Sequence, residues 1–343
     1  MRNSRSIQTR TVVVVTGASA GVGRATAVAF AKYGCRVALV SRDEAALQSA
    51  CREVEAGGGE GLVIVADVAD AEALSRAADR VVAEWGHIDV WVNNAMATVF
   101  GRVETIAPDE FKRVTEVTYL GQVHGTVAAL RHMRARRSGT IVQVGSALAY
   151  RSIPLQAAYC GAKFAVRGFT DALRAELIHE NSPIRLTMVQ LPAVNTPQFD
   201  WARSRLPRRL QPVPPIFQPE AIAAEIVRAA AEAPRELWIG WPSIRSIIAN
   251  FFFPGILDRL ASRLAWDGQM TDQPAAADRL DNLFAPVTEN PGAHGRFDGR
   301  SQSTAIAVSS ATARGALAIA GLGLWAVTAA IFFVAGARGN RTR

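Results

Sequence analysis

Short apolar runs alternate with longer stretches of helical periodicity between residues 11 and 240. The apolar runs are rich in β-branched residues, which favours buried strands, and the stretches between them repeat apolar residues at helical spacing. Seven strands are predicted, at 12–16, 36–41, 61–66, 88–92, 139–145, 184–190 and 236–240. The pattern therefore predicts an α/β domain over residues 10–242, a doubly wound parallel seven-stranded sheet with helices on both faces.

The first predicted strand runs directly into a turn that contains three glycines. Residues 12–24 read VVVVTGASAGVGR, and an alanine-rich helical pattern follows. Strand, turn and helix in this order form a phosphate site, because amide groups at a helix N-terminus point at an anion. We expect Gly17 to permit the bend, Gly21 to let the amides approach a pyrophosphate, and Gly23 to let the helix pack closely. The predicted cofactor site includes Gly17, Ser19, Gly21, Val22, Gly23 and Arg24.

The ends of the second and third predicted strands bear on the choice of cofactor. No acidic side chain ends the second strand to hold the adenosine ribose hydroxyls; Arg42 stands there instead. Arg42 and Arg24 could clamp a 2′-phosphate, although Arg42 could also be merely exposed. NADP(H) is therefore predicted over NAD(H). Asp67-Val68 follows the third strand, and Asp67 could accept from the adenine amine or cap the helix that starts near Ala71.

A serine, a tyrosine and a lysine form the candidate catalytic group. Ser146 follows the fifth predicted strand, Tyr159 comes 13 positions later, and Lys163 follows at i+4 on a predicted helix. The i+4 spacing puts the phenol and the ammonium on one helix face. A neighbouring lysine stabilises phenolate and draws the tyrosine pKa from about 10 toward neutrality, so that the phenol can exchange a proton with a carbonyl or alcohol. Ser146 can then donate to the substrate oxygen.

These motifs resemble those of the short-chain dehydrogenase/reductase (SDR) family over about residues 10 to 240. The matching elements, in order, are TGASAGVG at 16–23, Asp67, Asn93-Asn94-Ala95, Ser146 and Tyr159-Cys160-Gly161-Ala162-Lys163. The resemblance implies a Rossmann-type fold in which Tyr159 is the general acid/base, Lys163 tunes it and holds the nicotinamide ribose, and Ser146 orients the reacting oxygen. It also implies reversible hydride transfer between NAD(P)(H) and an alcohol/carbonyl pair. The expected cofactor site also includes Val68, Asn94, Tyr159, Lys163 and Thr196.

Three positions depart from the family pattern. Met96 replaces the glycine that usually closes the Asn-Asn-Ala-Gly motif, and Leu191-Pro192 stands where Pro-Gly is usual. Thr118 replaces the asparagine that anchors a proton-relay water; its hydroxyl could hold a water, but the backbone carbonyl one turn back could also accept from it. These departures motivate the alternative that the chain is an inactive, cofactor-binding membrane scaffold or sensor.

The segments after residue 196 predict an apolar substrate. The loop before a helix near Pro219 contains Phe199, Trp201 and Phe217 among prolines, which suits a stiff lid over an apolar ligand. Its arginines, Arg203, Arg205, Arg208 and Arg209, could meet an anionic head group or simply be solvated. Residues 243–300 form a partly helical extension whose apolar spacing suits either an interfacial helix pair or, as we favour, packing on the core or a partner subunit.

The end of the chain predicts a membrane anchor. After a linker at 301–314, residues 315–337 are 23 residues without a charge. As a helix they would be about 34 Å long, enough to cross a bilayer. A membrane-anchored protein with a cytoplasmic catalytic domain is expected.

Composition and charge narrow the remaining possibilities. The formal net charge is +8, but no basic run is interleaved with aromatics, so a nucleic-acid partner is not expected. The three cysteines are widely spaced and show no metal-ligand pattern, so no metal is expected and the thiols should be free. By resemblance to the family, the helices at 109–136 and from 158 imply a homodimer or homotetramer.

Overall fold

An eight-stranded sheet forms the centre of the computed structural model, which describes residues 7–276, 279–288, 292–316 and 318. In chain order the strands are β1 (Val12–Thr16), β2 (Arg36–Ser41), β3 (Glu60–Val65), β4 (Val90–Asn93), β5 (Thr140–Val144), β6 (Arg185–Gln190), β7 (Glu236–Ile239) and β8 (Ala307–Ser309). Across the sheet the order is β8-β7-β6-β5-β4-β1-β2-β3. The neighbouring pairs among β1 to β7 are parallel, and β8 is antiparallel to β7.

The seven predicted strands are confirmed, each within two residues of its predicted bounds. The prediction of a seven-stranded, wholly parallel sheet is wrong at one edge, where β8 pairs with β7. Three residues are too few to give a periodic signal, so this strand depends on the edge it pairs with. Residues 301–314 are accordingly not a plain linker: they contain β8, the short strand Ser301–Gln302 and the start of a helix at 310–316.

Helices cover both faces of the sheet. They are α1 (Gly21–Ala31), α2 (Glu44–Ala56), α3 (Ala71–Trp85), α4 (Pro108–Thr115), α5 (Gly121–Arg136), α6 (Ala157–His179), α7 (Pro219–Glu232), α8 (Trp241–Phe252) and α9 (Pro254–Leu260). Successive strand residues point to opposite faces, so Val12 and Val14 pack with α3 to α6, whereas Val13 and Val15 pack with α1, α2 and α7. The two cores fix the strand ends where a site can form.

The extension after β7 is partly helical, and some of its residues are buried in the core. After α9 come a π-helical turn at Ala261–Ala265, the short helix Trp266–Gly268, and the strand Met270–Pro274, which pairs with Arg208–Leu210. The described residues from 275 to 300 are mainly irregular, yet Leu283 is fully buried in the core on the α3–α6 face. This segment therefore crosses the domain instead of trailing from it.

The predicted membrane helix at 315–337 lies outside the described residues, apart from 315, 316 and 318. Within the part of the chain that is described, no helix combines the length and the apolar character needed to cross a bilayer.

Leu283→Ala should lower the free energy of unfolding by about 2–5 kcal/mol, because it empties a fully buried leucine site. Urea denaturation checks this, with Leu280→Ala as the matched control, since Leu280 is 65% exposed three residues earlier. Equal stability of the two variants would show that the extension is not part of the core.

Candidate active site

The carboxyl ends of the parallel strands open into a cavity of about 600 Å³. The glycine turn after β1, the ends of β2 to β6, and α6 all contribute to its wall. In doubly wound sheets this edge is where ligands bind. The cavity also reaches the extension, because residues of α8, α9 and the segment 282–287 line it.

The glycine turn has the geometry of an anion cradle. Gly17 has φ +68°, and a Cβ on Gly23 would lie 2.1 Å from the Gly17 carbonyl oxygen, so only glycine fits at either position. The N-cap residue Ala20 offers no side-chain acceptor to the first turn of α1, whose residues line the cavity. The first turn of α1 therefore faces the cavity and fits a dinucleotide pyrophosphate, although in this structure the Gly21 amide donates to the Gly292 carbonyl oxygen at 3.2 Å. Thr196 lies opposite, with its Cγ2 3.2 Å from where a Cβ of Gly21 would be.

Asn94 ties the turn to the end of β4. Its Nδ2 donates to the carbonyl oxygens of Thr16, at 2.9 Å, and Gly17, at 3.3 Å. The Thr16 hydroxyl in turn accepts from the amides of Asn94 and Ala95. Asn94, which was expected in the cofactor site, thus supports the glycine turn through hydrogen bonds to its backbone.

The two arginines proposed as a phosphate clamp have different surroundings. Arg24 does not line the cavity; its buried guanidinium binds Glu53 through two nitrogens, at 2.7 and 3.0 Å, and also Ser49. This contradicts the expectation for Arg24, because its side chain points along α1 toward α2. Arg42 does line the cavity, and it donates to the carbonyl oxygens of Asn282, at 2.6 Å, and Phe284, at 3.0 Å.

Asp67 and Val68 both line the cavity at the end of β3. The alternative that Asp67 caps the next helix is wrong, because Asp70 caps α3 by accepting from the Ala73 amide. Asp67 instead accepts from the Ala69 amide and pairs with Arg113. Burial raises the pKa of the Asp67 carboxyl, but these hydrogen bonds outweigh burial and the pKa lies below its usual value.

The predicted catalytic side chains meet in the cavity. Ser146 follows β5; its hydroxyl accepts from the Leu148 amide at 3.1 Å and lies close to the Tyr159 phenol on α6. Lys163, one turn further on, is buried, and its Nζ donates to the Val144 carbonyl oxygen at 2.7 Å and lies 5.6 Å from the centre of the Tyr159 ring. The three side chains thus have the relative arrangement that proton exchange with a substrate oxygen requires.

Burial, and not the lysine charge, controls the pKa values in the protein alone. Desolvation raises the pKa of the Tyr159 phenol above its usual value, and the neighbouring Ser146 hydroxyl offsets only part of this rise. Desolvation lowers the pKa of the Lys163 ammonium to about 7, so that the amine is about half charged at neutral pH. The expected lowering of the tyrosine pKa by Lys163 is therefore not a property of the chain without its cofactor.

Thr118 is held away from the cavity. It lies in a π-helical turn, Glu116–Leu120, that joins α4 to α5 and interrupts the helix predicted over 109–136. Its buried hydroxyl donates to the Ala97 carbonyl oxygen at 2.8 Å and accepts from the Ala97 amide at 2.9 Å. The Thr118 hydroxyl is therefore bound by backbone groups, as expected, but they belong to Ala97, 21 positions away, and not to the residue one turn back.

Sequence reasoning missed the polar residues behind the catalytic group. Gln190 Oε1 accepts from the Ser146 amide at 2.9 Å, and its Nε2 donates to buried Glu236 at 3.3 Å. Glu236 also accepts from the Tyr150 hydroxyl at 2.6 Å. Gln122 shares the Val144 carbonyl with Lys163. Their only sequence signal is a polar residue at an apolar strand or helix position, which does not identify the partner.

The substrate side agrees with the lid prediction in part. Phe199 and Trp201 line the cavity, and so do Met96, Leu191 and Pro192, whereas buried Phe217 does not. The loop arginines are paired within the chain: Arg203 and Arg205 both bind Glu110, Arg208 binds Asp267, and Arg209 pairs with Asp200. The lid is thus fastened by ion pairs and presents mainly apolar side chains to the cavity.

The extension also touches the cofactor side. The Leu283 carbonyl oxygen accepts from Arg113 Nε at 3.1 Å, next to the Arg42 contacts, and the Gly292 carbonyl oxygen accepts from the Gly21 amide at 3.2 Å. Nothing in the local sequence predicts these contacts, since each joins residues far apart in the chain.

Comparison with known proteins agrees with this geometry. A family model described as short chain dehydrogenase matches residues 11–206. The uncharacterized oxidoreductase YxnA of Bacillus subtilis is 33% identical over 268 residues, 77% of this chain and 75% of that protein. Two solved structures are each 28% identical to the chain. One is a metagenomic short-chain oxidoreductase in complex with NADP (TM-score 0.56, covering 66% of this chain and 93% of that chain). The other is an alcohol dehydrogenase from the archaeon Thermococcus sibiricus complexed with 5-hydroxy-NADP (TM-score 0.57, covering 67% and 95%).

The family match covers more than half of the chain, and it spans both the glycine turn and the group of Ser146, Tyr159 and Lys163. The chain belongs to the short-chain dehydrogenase/reductase family and is an oxidoreductase that acts on CH–OH groups with NAD(P).

Proposed function

We propose that the protein is an NADP(H)-dependent oxidoreductase that interconverts an alcohol and a carbonyl on a largely apolar substrate, with Tyr159 as general acid/base. The observation that carries this proposal is the position of Ser146, Tyr159 and Lys163 in one cavity with the glycine turn. A phenol that lies close to a serine hydroxyl at a dinucleotide cleft is suited to proton exchange with a substrate oxygen.

Each side chain has a separate task in the reduction direction. The bound dinucleotide supplies the hydride. Tyr159 gives its phenolic proton to the carbonyl oxygen of the substrate, Ser146 donates a hydrogen bond to the same oxygen, and the charged form of Lys163 stabilises the phenolate that remains. Oxidation reverses these transfers, with the Tyr159 phenolate accepting the proton of the alcohol.

The wall of the cavity supports an apolar substrate. Phe199, Trp201 and Met96 face it from the lid and from the end of β4, and Leu257 and Leu260 face it from α9. The loop arginines that could have met an anionic head group are bound to carboxylates of the chain. A ligand with a single polar group near Tyr159 would satisfy this environment.

The preference for NADP(H) rests on Arg42. Its guanidinium lies in the cavity wall, and the backbone carbonyls that hold it do not neutralise its charge. Asp67 is the carboxylate that interacts electrostatically with Arg42, but its ion pair is with Arg113, and Asp43 caps α2 through the Ala46 amide. A 2′-phosphate would therefore meet a fixed cation at this end of the cleft.

We also infer that the protein is anchored in a membrane, because residues 315–337 carry no charge. The catalytic domain is placed on the cytoplasmic side because NADP(H) chemistry favours it. A homodimer or homotetramer through α5 and α6 is supported by Val127 and Phe164, which expose apolar surface on these helices.

An inactive, cofactor-binding scaffold or sensor is the second candidate. The observation that favours it is Thr118, whose hydroxyl makes two hydrogen bonds with Ala97 and has little capacity left for a relay water. Nucleotide binding without turnover would distinguish the scaffold from the enzyme.

Tyr159→Phe should lower kcat at least about 100-fold with an apolar ketone and NADPH, because the variant keeps the ring and loses only the proton donor. Turnover is followed by NADPH absorbance, and nucleotide binding should be unchanged. Tyr119→Phe is the control, since Tyr119 does not line the cavity. Undiminished turnover in Tyr159→Phe would remove the tyrosine from the chemistry.

Arg42→Ala should weaken NADPH binding by roughly 10- to 100-fold and leave NADH binding nearly unchanged, since a charged hydrogen bond contributes about 1.5–3 kcal/mol. Calorimetry gives the ratio of the two dissociation constants. That ratio is diagnostic, because loosening of the Asn282–Phe284 contacts would affect both nucleotides alike. Arg36→Ala, at the other end of β2, should keep the wild-type ratio; an unchanged ratio in Arg42→Ala would contradict the preference.

Binding of NADP(H) at pH 8 should take up as much as about one proton per site. Lys163, with a pKa of about 7, is mainly neutral at that pH, and the dinucleotide's negative charge and ribose oxygens raise its pKa. Calorimetry in two buffers of different ionisation enthalpy measures the uptake. Lys163→Met should abolish it, and an uptake that persists in this variant would assign the proton to another group.

A further inference from the structure

We propose that the apolar hairpin formed by α8, α9 and the following turn, residues 241–266, docks on the surface of an anionic phospholipid bilayer and places the mouth of the cavity there. The docking stands independently of the reaction. Its consequence, delivery of an apolar substrate from the lipid, rests on the proposed function.

The outer side of the hairpin is an exposed apolar surface. The consecutive residues Phe251, Phe252 and Phe253 are 54%, 61% and 57% exposed. Ile256, Leu260 and Leu264 follow at i+4 spacing, which places them along one side of the α9 segment, and all three are exposed. Soluble proteins rarely leave an apolar surface of this kind uncovered, so a partner is expected to cover it.

The charges beside this apolar surface indicate what kind of partner covers it. Arg245, Arg259 and Arg263 are exposed on the hairpin, and none forms an ion pair with another residue in the described ranges. Asp258, the acidic residue of the hairpin, is paired with Arg151, and Asp267, which follows the hairpin, is paired with Arg208. Uncompensated arginines that flank aromatic and aliphatic side chains match anionic headgroups over an acyl layer.

The inner side of the hairpin fixes its position on the domain. Ile244 and Ile247 are buried in one cluster with Ala313, which belongs to the helical residues 310–316. The uncharged stretch 315–337 therefore starts close to α8. The apolar surface and the point where the described chain ends lie on the same part of the molecule, as docking on one bilayer requires.

The cavity opens at this surface. Leu257, Leu260, Ala261 and Leu264 line it, and Leu260 and Leu264 are also 47% and 70% exposed. Residues that line a cavity and face solvent stand at its mouth. An apolar alcohol or ketone dissolved in the bilayer would reach Tyr159 without crossing water, so its apolar surface would not have to be hydrated on the way, which is unfavourable.

Hydrogen-exchange mass spectrometry of the full chain tests the docking. Vesicles of phosphatidylcholine with phosphatidylglycerol should slow amide exchange in 249–264 by roughly tenfold, and phosphatidylcholine alone should do so less. Arg259→Gln with Arg263→Gln should remove the dependence on phosphatidylglycerol. Phe252→Glu with Ile256→Glu should abolish the protection, whereas Ile178→Glu, at an exposed site on α6, should keep it.

Other occupants give different results, each of which overturns the proposal. Unprotected 249–264 in protein retained on vesicles would show that only the C-terminal stretch binds lipid. Protection that depends on protein concentration without lipid would assign the surface to a second copy of the chain. Protection already complete without lipid at any concentration would assign it to residues 319–343.

A further outcome separates the docking from the reaction. Lipid-dependent protection in a protein without turnover would refute the proposed reaction and keep the docking.

Discussion

The close approach of α1 to the end of β1 is the constraint on which the site depends. A Cβ on Gly23 would lie 2.1 Å from the Gly17 carbonyl oxygen and 2.5 Å from Asn94 Nδ2. With glycine there, the helix N-terminus can stand directly against the strand end, and Asn94 can bridge the turn to β4. The direction of the first amides of α1, and with it the position of a bound pyrophosphate, follows from this contact.

The catalytic group completes the cleft through a second shared contact, the Val144 carbonyl oxygen. It accepts from both Lys163 and Gln122 at the end of β5, which orients the lysine beside Tyr159. Among the residues that the structure describes, no counter-charge pairs with Lys163, and burial lowers its pKa to about 7. In the proposed mechanism, an anionic nucleotide in the cleft favours the charged form of Lys163 beside Tyr159, which would couple cofactor binding to acid–base chemistry.

The extension contributes residues at both ends of the cavity. At the adenosine end its carbonyls hold Arg42 and Arg113, and at the substrate end α9 supplies leucines to the cavity wall. Its outer face is apolar and basic at once. One stretch of chain thus contributes to the surroundings of the cofactor, to the substrate wall and to an exposed surface.

The sequence by itself determined the seven parallel strands, the glycine turn and the catalytic side chains, because hydrophobic periodicity and motif spacing are properties of neighbouring residues. Only the tertiary structure decided which hydrogen-bond partners the polar side chains have. Arg42 meets Asn282 across 240 positions, Arg24 meets Glu53 across 29, and Thr118 meets Ala97 across 21. Local pattern contains no information on such contacts, since an arginine or threonine binds whichever acceptor the fold brings within reach. The same holds for β8, which forms because the edge of β7 is there to pair with it.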